Sequence, residues 1–200
     1  YSVGASAVLS ELVSLPTQVD FVKFRASYGE VGGVGAAEEP YLLGLNYQTF
    51  AQGHEGYPLG GIANTSSPPT NLEPLTSREF EVGLDFRLFQ NRLGADFAFY
   101  NRQTVDDILN AAISPTSGYD SRVVNIGKMQ NVGVELLLYG SPVKTADFRW
   151  DVSLNFAQNN NKVVSLLTPE EDDENVRVEE SRTRNAYIEH VEGLPYSQIM

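Results

Sequence analysis

From Glu79 to Leu88 the chain reads Glu-Phe-Glu-Val-Gly-Leu-Asp-Phe-Arg-Leu, with an apolar residue at every even position and a charged residue or glycine at every odd one. A period of two marks a strand with one apolar and one polar face, because successive side chains leave a pleated backbone on opposite sides. After Gln90 and Asn91 the alternation resumes, with Leu93, Ala95, Phe97 and Phe99 on one face and Gly94, Asp96, Ala98 and Tyr100 on the other. The spacing predicts an antiparallel hairpin with Gln90 and Asn91 as the two central residues of a tight turn, setting Phe86 opposite Ala95, Leu84 opposite Phe97 and Val82 opposite Phe99. A slip of one residue would place Leu84 against Asp96, so burial chemistry fixes the register.

Four more segments alternate in the same way: Val3 to Leu9, Val22 to Tyr28, Val132 to Leu138 and Phe148 to Phe156. No helical stripe of comparable length appears, so the chain is all-β. Between these strands, short connections (10 to 19, Gln90-Asn91, 140 to 147) alternate with long ones (30 to 77, 103 to 128, 159 to 186). Both ends of a soluble sandwich face the same water and have no reason to sort loops by length. Outer-membrane barrels do sort them, with short periplasmic turns and long extracellular loops. The expected fold is therefore an antiparallel up-and-down transmembrane β-barrel segment of that kind, and strand lengths of about 9 to 11 residues suit the hydrocarbon. The long segments carry loop chemistry at Gly32-Gly33, Pro68-Pro69, Pro115, Gly118 and Asn159-Asn160-Asn161.

On the polar side of the hairpin, Asp85 is set opposite Asp96, with Arg87 diagonal to it. Two such carboxylates repel unless water or a cation screens them, so this face is expected to look into a wet lumen and the apolar face into lipid. Tyr139, Phe148 and Trp150 fall at the short-turn ends, where an aromatic girdle would sit.

Composition narrows the chemistry. Lys and Arg number 14 against 26 Asp and Glu, and a formal charge of -12 argues against nucleic-acid binding. With no cysteine and only two histidines, His54 and His190, thiolate sites are excluded and a histidine zinc site or triad would need both in one place. No run of about 18 apolar residues exists, so no transmembrane helix is expected. The chain starts at Tyr1 without a leader and already reads as a strand, which suggests an internal piece of something longer.

Each sharper motif has a plainer reading. Glu170 to Glu174, followed by Glu179-Glu180, lacks metal-ligand spacing and reads as a solvated loop. Asp106-Asp107 or Asp85/Asp96 could be glycosidase carboxylates, but adjacent strand residues point to opposite faces and the second pair lacks an apolar pocket. Gly29 to Gly35 lacks the Lys-Ser/Thr of a phosphate loop, and Asn64-Thr65-Ser66 is a chance sequon. No catalytic residue, metal or cofactor is expected. Tyr41, Tyr47, Phe50, Tyr57 and Tyr119 lie in long segments, where an aromatic face stacks on a sugar and its polar tip reaches a hydroxyl; they are the candidate substrate contacts.

The segments Leu72-Glu73-Pro74, Glu81-Val82-Gly83-Leu84-Asp85-Phe86, Phe99-Tyr100-Asn101-Arg102-Gln103-Thr104-Val105-Asp106-Asp107-Ile108, Asn125-Ile126-Gly127-Lys128-Met129-Gln130-Asn131-Val132-Gly133-Val134-Glu135 and Trp150-Asp151-Val152-Ser153-Leu154-Asn155-Phe156 come in an order that resembles the barrel of SusC/RagA-type TonB-linked outer-membrane transporters. Phe24 to Gly29, Ser117-Gly118-Tyr119 and Glu192 to Tyr196 extend the resemblance over most of the chain outside the long loops. It implies that residues 1–200 are one part of a bacterial outer-membrane barrel of about 22 strands, filled by a plug outside this sequence. It also implies a SusD-like surface lipoprotein, the TonB complex acting through the plug, membrane lipid and lipopolysaccharide as partners, and oligosaccharide or peptide as cargo. The competing expectation is a secreted soluble β-sandwich that binds carbohydrate, in which Leu84, Phe97, Leu136 and Leu154 would be buried on one another. A glycosidase comes third.

Overall fold

The structure, a computed structural model, describes residues 1–34, 45–50, 57, 59–69, 72–166, 175–177 and 186–199. Its strands are β1 (Ser2–Val8), β2 (Val19–Gly33), β3 (Tyr47–Phe50), β4 (Leu59–Ile62), β5 (Ser66–Ser67), β6 (Leu75–Leu88), β7 (Leu93–Ala112), β8 (Ser121–Lys144), β9 (Arg149–Ser165), β10 (Asn175–Arg177), β11 (Ile188–Val191) and β12 (Gln198–Ile199). One helical turn, α1 (Leu9–Leu12), interrupts the β1–β2 connection. The long strands form one sheet in the order β1-β2-β6-β7-β8, with β9 also on β8 and the short β5 parallel to it. β3–β4 and β10–β11–β12 are small separate sheets.

The chain divides into two compact units. The first holds residues 1–31, 77–103 and 130–161, all contributed by the long sheet and its short turns. Alternation settles its two faces. Val3, Ala5 and Ala7 lie across from Tyr28, Ala26 and Phe24 in an antiparallel register. Phe97 and Leu154 remain 38% and 61% exposed on that apolar face, and Phe24, Phe80, Trp150, Val152 and Phe156 are exposed with them. No second sheet within this unit covers these residues, so the burial that a sandwich requires is missing.

At the far end from the short turns the apolar face stops at polar pairs. Arg78 Nε lies 3.3 Å from Glu30 Oε2, Tyr28 donates its hydroxyl to the same carboxylate at 3.2 Å, and Gln130 donates to Asn101 at 3.0 Å.

The polar face is smoothed in a different way. A Cβ on Gly83 would meet the Arg25 side chain, one on Gly94 the ring of Tyr139, and one on Gly133 the ring of Tyr100, all at 2.3 to 2.4 Å. Each glycine leaves a gap in the pleat into which a long neighbour lies flat, restoring the contact that a strand glycine gives up.

The second unit holds residues 32–76, 104–129 and 162–200. It has a true buried cluster, Ala111, Ile126, Met129, Val163 and Leu166, flanked by Leu109, Val124 and Tyr196. Asn125 ties it together: its side chain accepts the Glu73 amide at 2.9 Å and donates to the Glu73 and Asp106 carbonyls at 2.8 and 2.7 Å.

Several expectations change. The β6–β7 turn is four residues, Phe89 to Arg92, and Phe89, Gln90 and Asn91 all have φ near +60°. The face parity of the expected hairpin nevertheless stands. Carried three steps on, its register sets Glu79 opposite Arg102, and these two form an ion pair. Asp96 also shares a face with Gly83, since Arg25 spans from one to the other. Its partner is Arg25 of β2, whereas Arg87 turns to Asp85 at 3.6 Å and covers the Phe21 ring. Tyr139 lies on the polar face over Gly94, leaving Phe148 and Trp150 exposed on the apolar side. Gly32-Gly33, residues 103–112, 121–128 and the Asn159-Asn160-Asn161 run are strand, not loop. Asp106 adopts φ +58°, so strict alternation at Asp106-Asp107 is broken there. The Glu170 to Glu174 and Glu179-Glu180 runs and Gly35 lie outside the described residues.

Candidate functional site

The polar face of the first unit carries a cleft of about 430 Å³ lined by Arg25, Glu79, Glu81, Tyr100, Arg102 and Glu135, among others. Strand alternation brings these residues together: odd positions of β2, β6 and β8 and even positions of β7 share one side. Arg25 is the centre of the charge network. Its Nη2 donates to Asp96 Oδ1 at 2.8 Å and its Nη1 to Asp96 Oδ2 at 3.3 Å, while its Nε stands 3.7 Å from Glu81. The fork geometry suits a carboxylate held by both oxygens. Arg102 donates to Glu79, and the Tyr100 hydroxyl donates to Asn159 at 3.3 Å.

Around the cleft the wall offers donors and acceptors in rows, with the carboxylates of Glu79, Glu81, Asp96 and Glu135 set among the guanidiniums of Arg25 and Arg102. Such rows can hydrate a polar solute and meet it with hydrogen bonds. Sequence alone singled out Asp96, yet missed Arg25 as its partner. The available signal was Gly83, an odd-position glycine on the strand between them, which opens the path for a long side chain.

The loop aromatics lie in the ranges of the second unit and fare differently. Tyr41 lies outside the described residues. Tyr47 is exposed on β3, with its ring over Gly60 of β4. Phe50 pairs through its backbone with Leu59. Tyr57 is exposed, and Tyr119 is half-buried behind the 3-10 turn Pro115–Ser117, whose Ser117 hydroxyl donates to the Tyr119 carbonyl at 3.2 Å.

His190 is buried in β11 of the same unit. Its Nδ1 accepts the Ser197 amide at 3.2 Å, and its ring meets Tyr196 edge-on at a centroid distance of 6.3 Å. Burial pushes the imidazole below its ordinary range, against the opposing pull of the Asp107 carboxylate. Among the described residues, no group of three or more His, Asp or Glu side chains converges as a metal site.

Residues 13–188 match the family model described as TonB dependent receptor-like, beta-barrel. The chain is 32% identical over 151 residues to TonB-dependent receptor P3 of Formosa agariphila, and 30% identical over 160 residues to TonB-dependent receptor SusC of Bacteroides thetaiotaomicron. Each match covers 76% of this chain, and 15% and 16% of the respective relatives, so the chain spans about a sixth of their length. Among solved structures, the RagAB peptide transporter superposes with a TM-score of 0.77 at 23% identity, over 98% of this chain and 20% of that one.

Proposed function

Because the chain belongs to the TonB-dependent receptor-like β-barrel family, whose members are bacterial outer-membrane barrels, we propose that it forms part of the wall of a transporter importing oligosaccharides or peptides. The observation that carries this reading is the family match across 13–188, and the two-faced sheet of the first unit supports it. An exposed apolar face of Phe, Trp, Leu and Val suits lipid. The opposite face, with its ion pairs and amides, suits a water-filled lumen. The relatives are TonB-dependent receptors, and the structural neighbour RagAB is a peptide transporter. For this protein either cargo is compatible with a wall of mixed donors and acceptors.

In this reading the protein does no covalent chemistry. Energy comes from the TonB complex acting through a plug, a SusD-like lipoprotein delivers cargo at the surface, and lipopolysaccharide surrounds the outer rim. Tyr47, Tyr57 and Tyr119, with Tyr41 and Phe50, are the proposed cargo or partner contacts. Deleting the gene and measuring growth on panels of single oligosaccharides and peptide digests tests the proposal. Loss of growth on one panel, restored by the intact gene but not in a TonB-deficient strain, is the expected result and identifies the cargo class. Unchanged growth and uptake on both panels would refute it.

A further inference from the structure

We propose that the groove beside the β6–β7 turn is a binding site for an anionic phospholipid of the leaflet next to the short turns, with Arg92 on the lipid phosphate. Phe89 has φ +57°, a conformation that a bulky L-residue rarely adopts, and it is 51% exposed. Its strands lie inside the sheet, between β2 and β8, so this exposure is not that of a free edge. The strained turn is held from the next connection: the Phe89 amide donates to the Gln18 carbonyl and the Asn91 amide to the Asp20 carboxylate, both at 2.9 Å. The fold therefore holds an exposed aromatic ring at this point.

Beside it runs a groove of about 360 Å³ lined by Phe89, Arg92, Leu93, Gly140, Ser141 and Pro142. Its character is mainly apolar, with Arg92 at its rim. The Arg92 guanidinium donates to the Pro142 carbonyl at 3.2 Å, and among the described residues no carboxylate lies within ion-pair distance of it. Arg25, Arg78, Arg87, Arg102 and Arg149, by contrast, each face an Asp or Glu. An uncompensated guanidinium seeks a planar or tetrahedral oxyanion. Leu93 continues the groove into the lipid-facing stripe, so a ligand here has its oxyanion at the turn and its hydrocarbon along the wall. That is the layout of a phospholipid, and the inference rests on the transmembrane reading given above.

The test uses the full-length receptor in phosphatidylethanolamine vesicles containing doxyl-labelled phosphatidylglycerol or doxyl-labelled phosphatidylcholine, with an environment-sensitive fluorophore on Gln90→Cys as its only thiol. Insertion is scored separately by heat-modifiable gel migration. The expected result is quenching about threefold stronger with the anionic lipid; Arg92→Gln abolishes the preference, while Arg92→Lys and the lumen-wall variant Arg102→Gln keep it. Equal quenching by both lipids, quenching by aqueous iodide alone, or a preference that survives Arg92→Gln would overturn the site. A receptor that fails to insert would instead refute the membrane reading itself.

Discussion

At the scale of single residues, Gly83 shows how one missing Cβ organises a wall. Because Arg25 lies across it to reach Asp96, Gly83→Val would displace the guanidinium and leave Asp96 without its partner. The ion pair itself is partly solvated and contributes only about 0–1 kcal/mol. Overpacking adds to that loss, so the variant is expected to cost about 1–3 kcal/mol, read as a lower urea midpoint for the full-length receptor in vesicles. An unchanged midpoint would mean that Arg25 has room to move aside. His190 gives a second prediction, for pH. Burial lowers its affinity for protons in the folded state, so between that lowered value and about 6.5 the unfolded segment binds more protons. The stability of the segment around β11 is complete above pH 6.5 and falls as the solution is acidified. Protonated Nδ1 also ceases to accept the Ser197 amide. Hydrogen exchange over residues 188–199 should accelerate from pH 7.5 to pH 5 after correction for intrinsic rates, and His190→Gln should flatten that dependence.

At the scale of elements, the β6–β7 turn spends conformational energy at three consecutive positions. Gln90 at φ +60° is a left-handed residue without the freedom of glycine, and Gln90→Gly is expected to raise stability by up to about 1 kcal/mol. Gln90→Val should lower it, and the pair measured by urea unfolding checks the sign. This turn marks the limit of what alternation reveals. A period of two located β6 and β7 and their facing positions, since a shift of one residue would have sent Asp96 into the apolar stripe. It said nothing of backbone handedness in the four residues between them. Alternation also stopped short at residues 103–112 and 121–128, which are strand. Both faces are polar or mixed there, so no apolar row advertises the pleat. The apolar and polar faces were thus legible, while the Arg25–Asp96 link, the Asn125 bracket and the buried cluster around Ile126 depend on long-range pairing that no local pattern encodes.

At the scale of the whole molecule, segregation of short turns from long segments predicts sidedness. On intact cells a membrane-impermeant thiol reagent should modify Ser117→Cys and Asn175→Cys in the full-length receptor, and spare Asn91→Cys and Ala146→Cys. Ala146 serves for the third short turn because Ser141 is buried and bound to Asp151. Reversed labelling would invert the topology. The polar pairs that end the apolar face, Glu30 with Arg78 and Asn101 with Gln130, act as a ruler. Along β6 the stripe from Phe80 to Leu88 spans about 26 Å at ~3.3 Å per residue, or about 20 Å along the membrane normal at a tilt of ~40°. The wall is therefore cut for a thin bilayer. In a membrane of longer-chain lipids Arg78 and Glu30 would be drawn below the headgroups, and the bilayer would have to thin around this part of the wall to keep them wet.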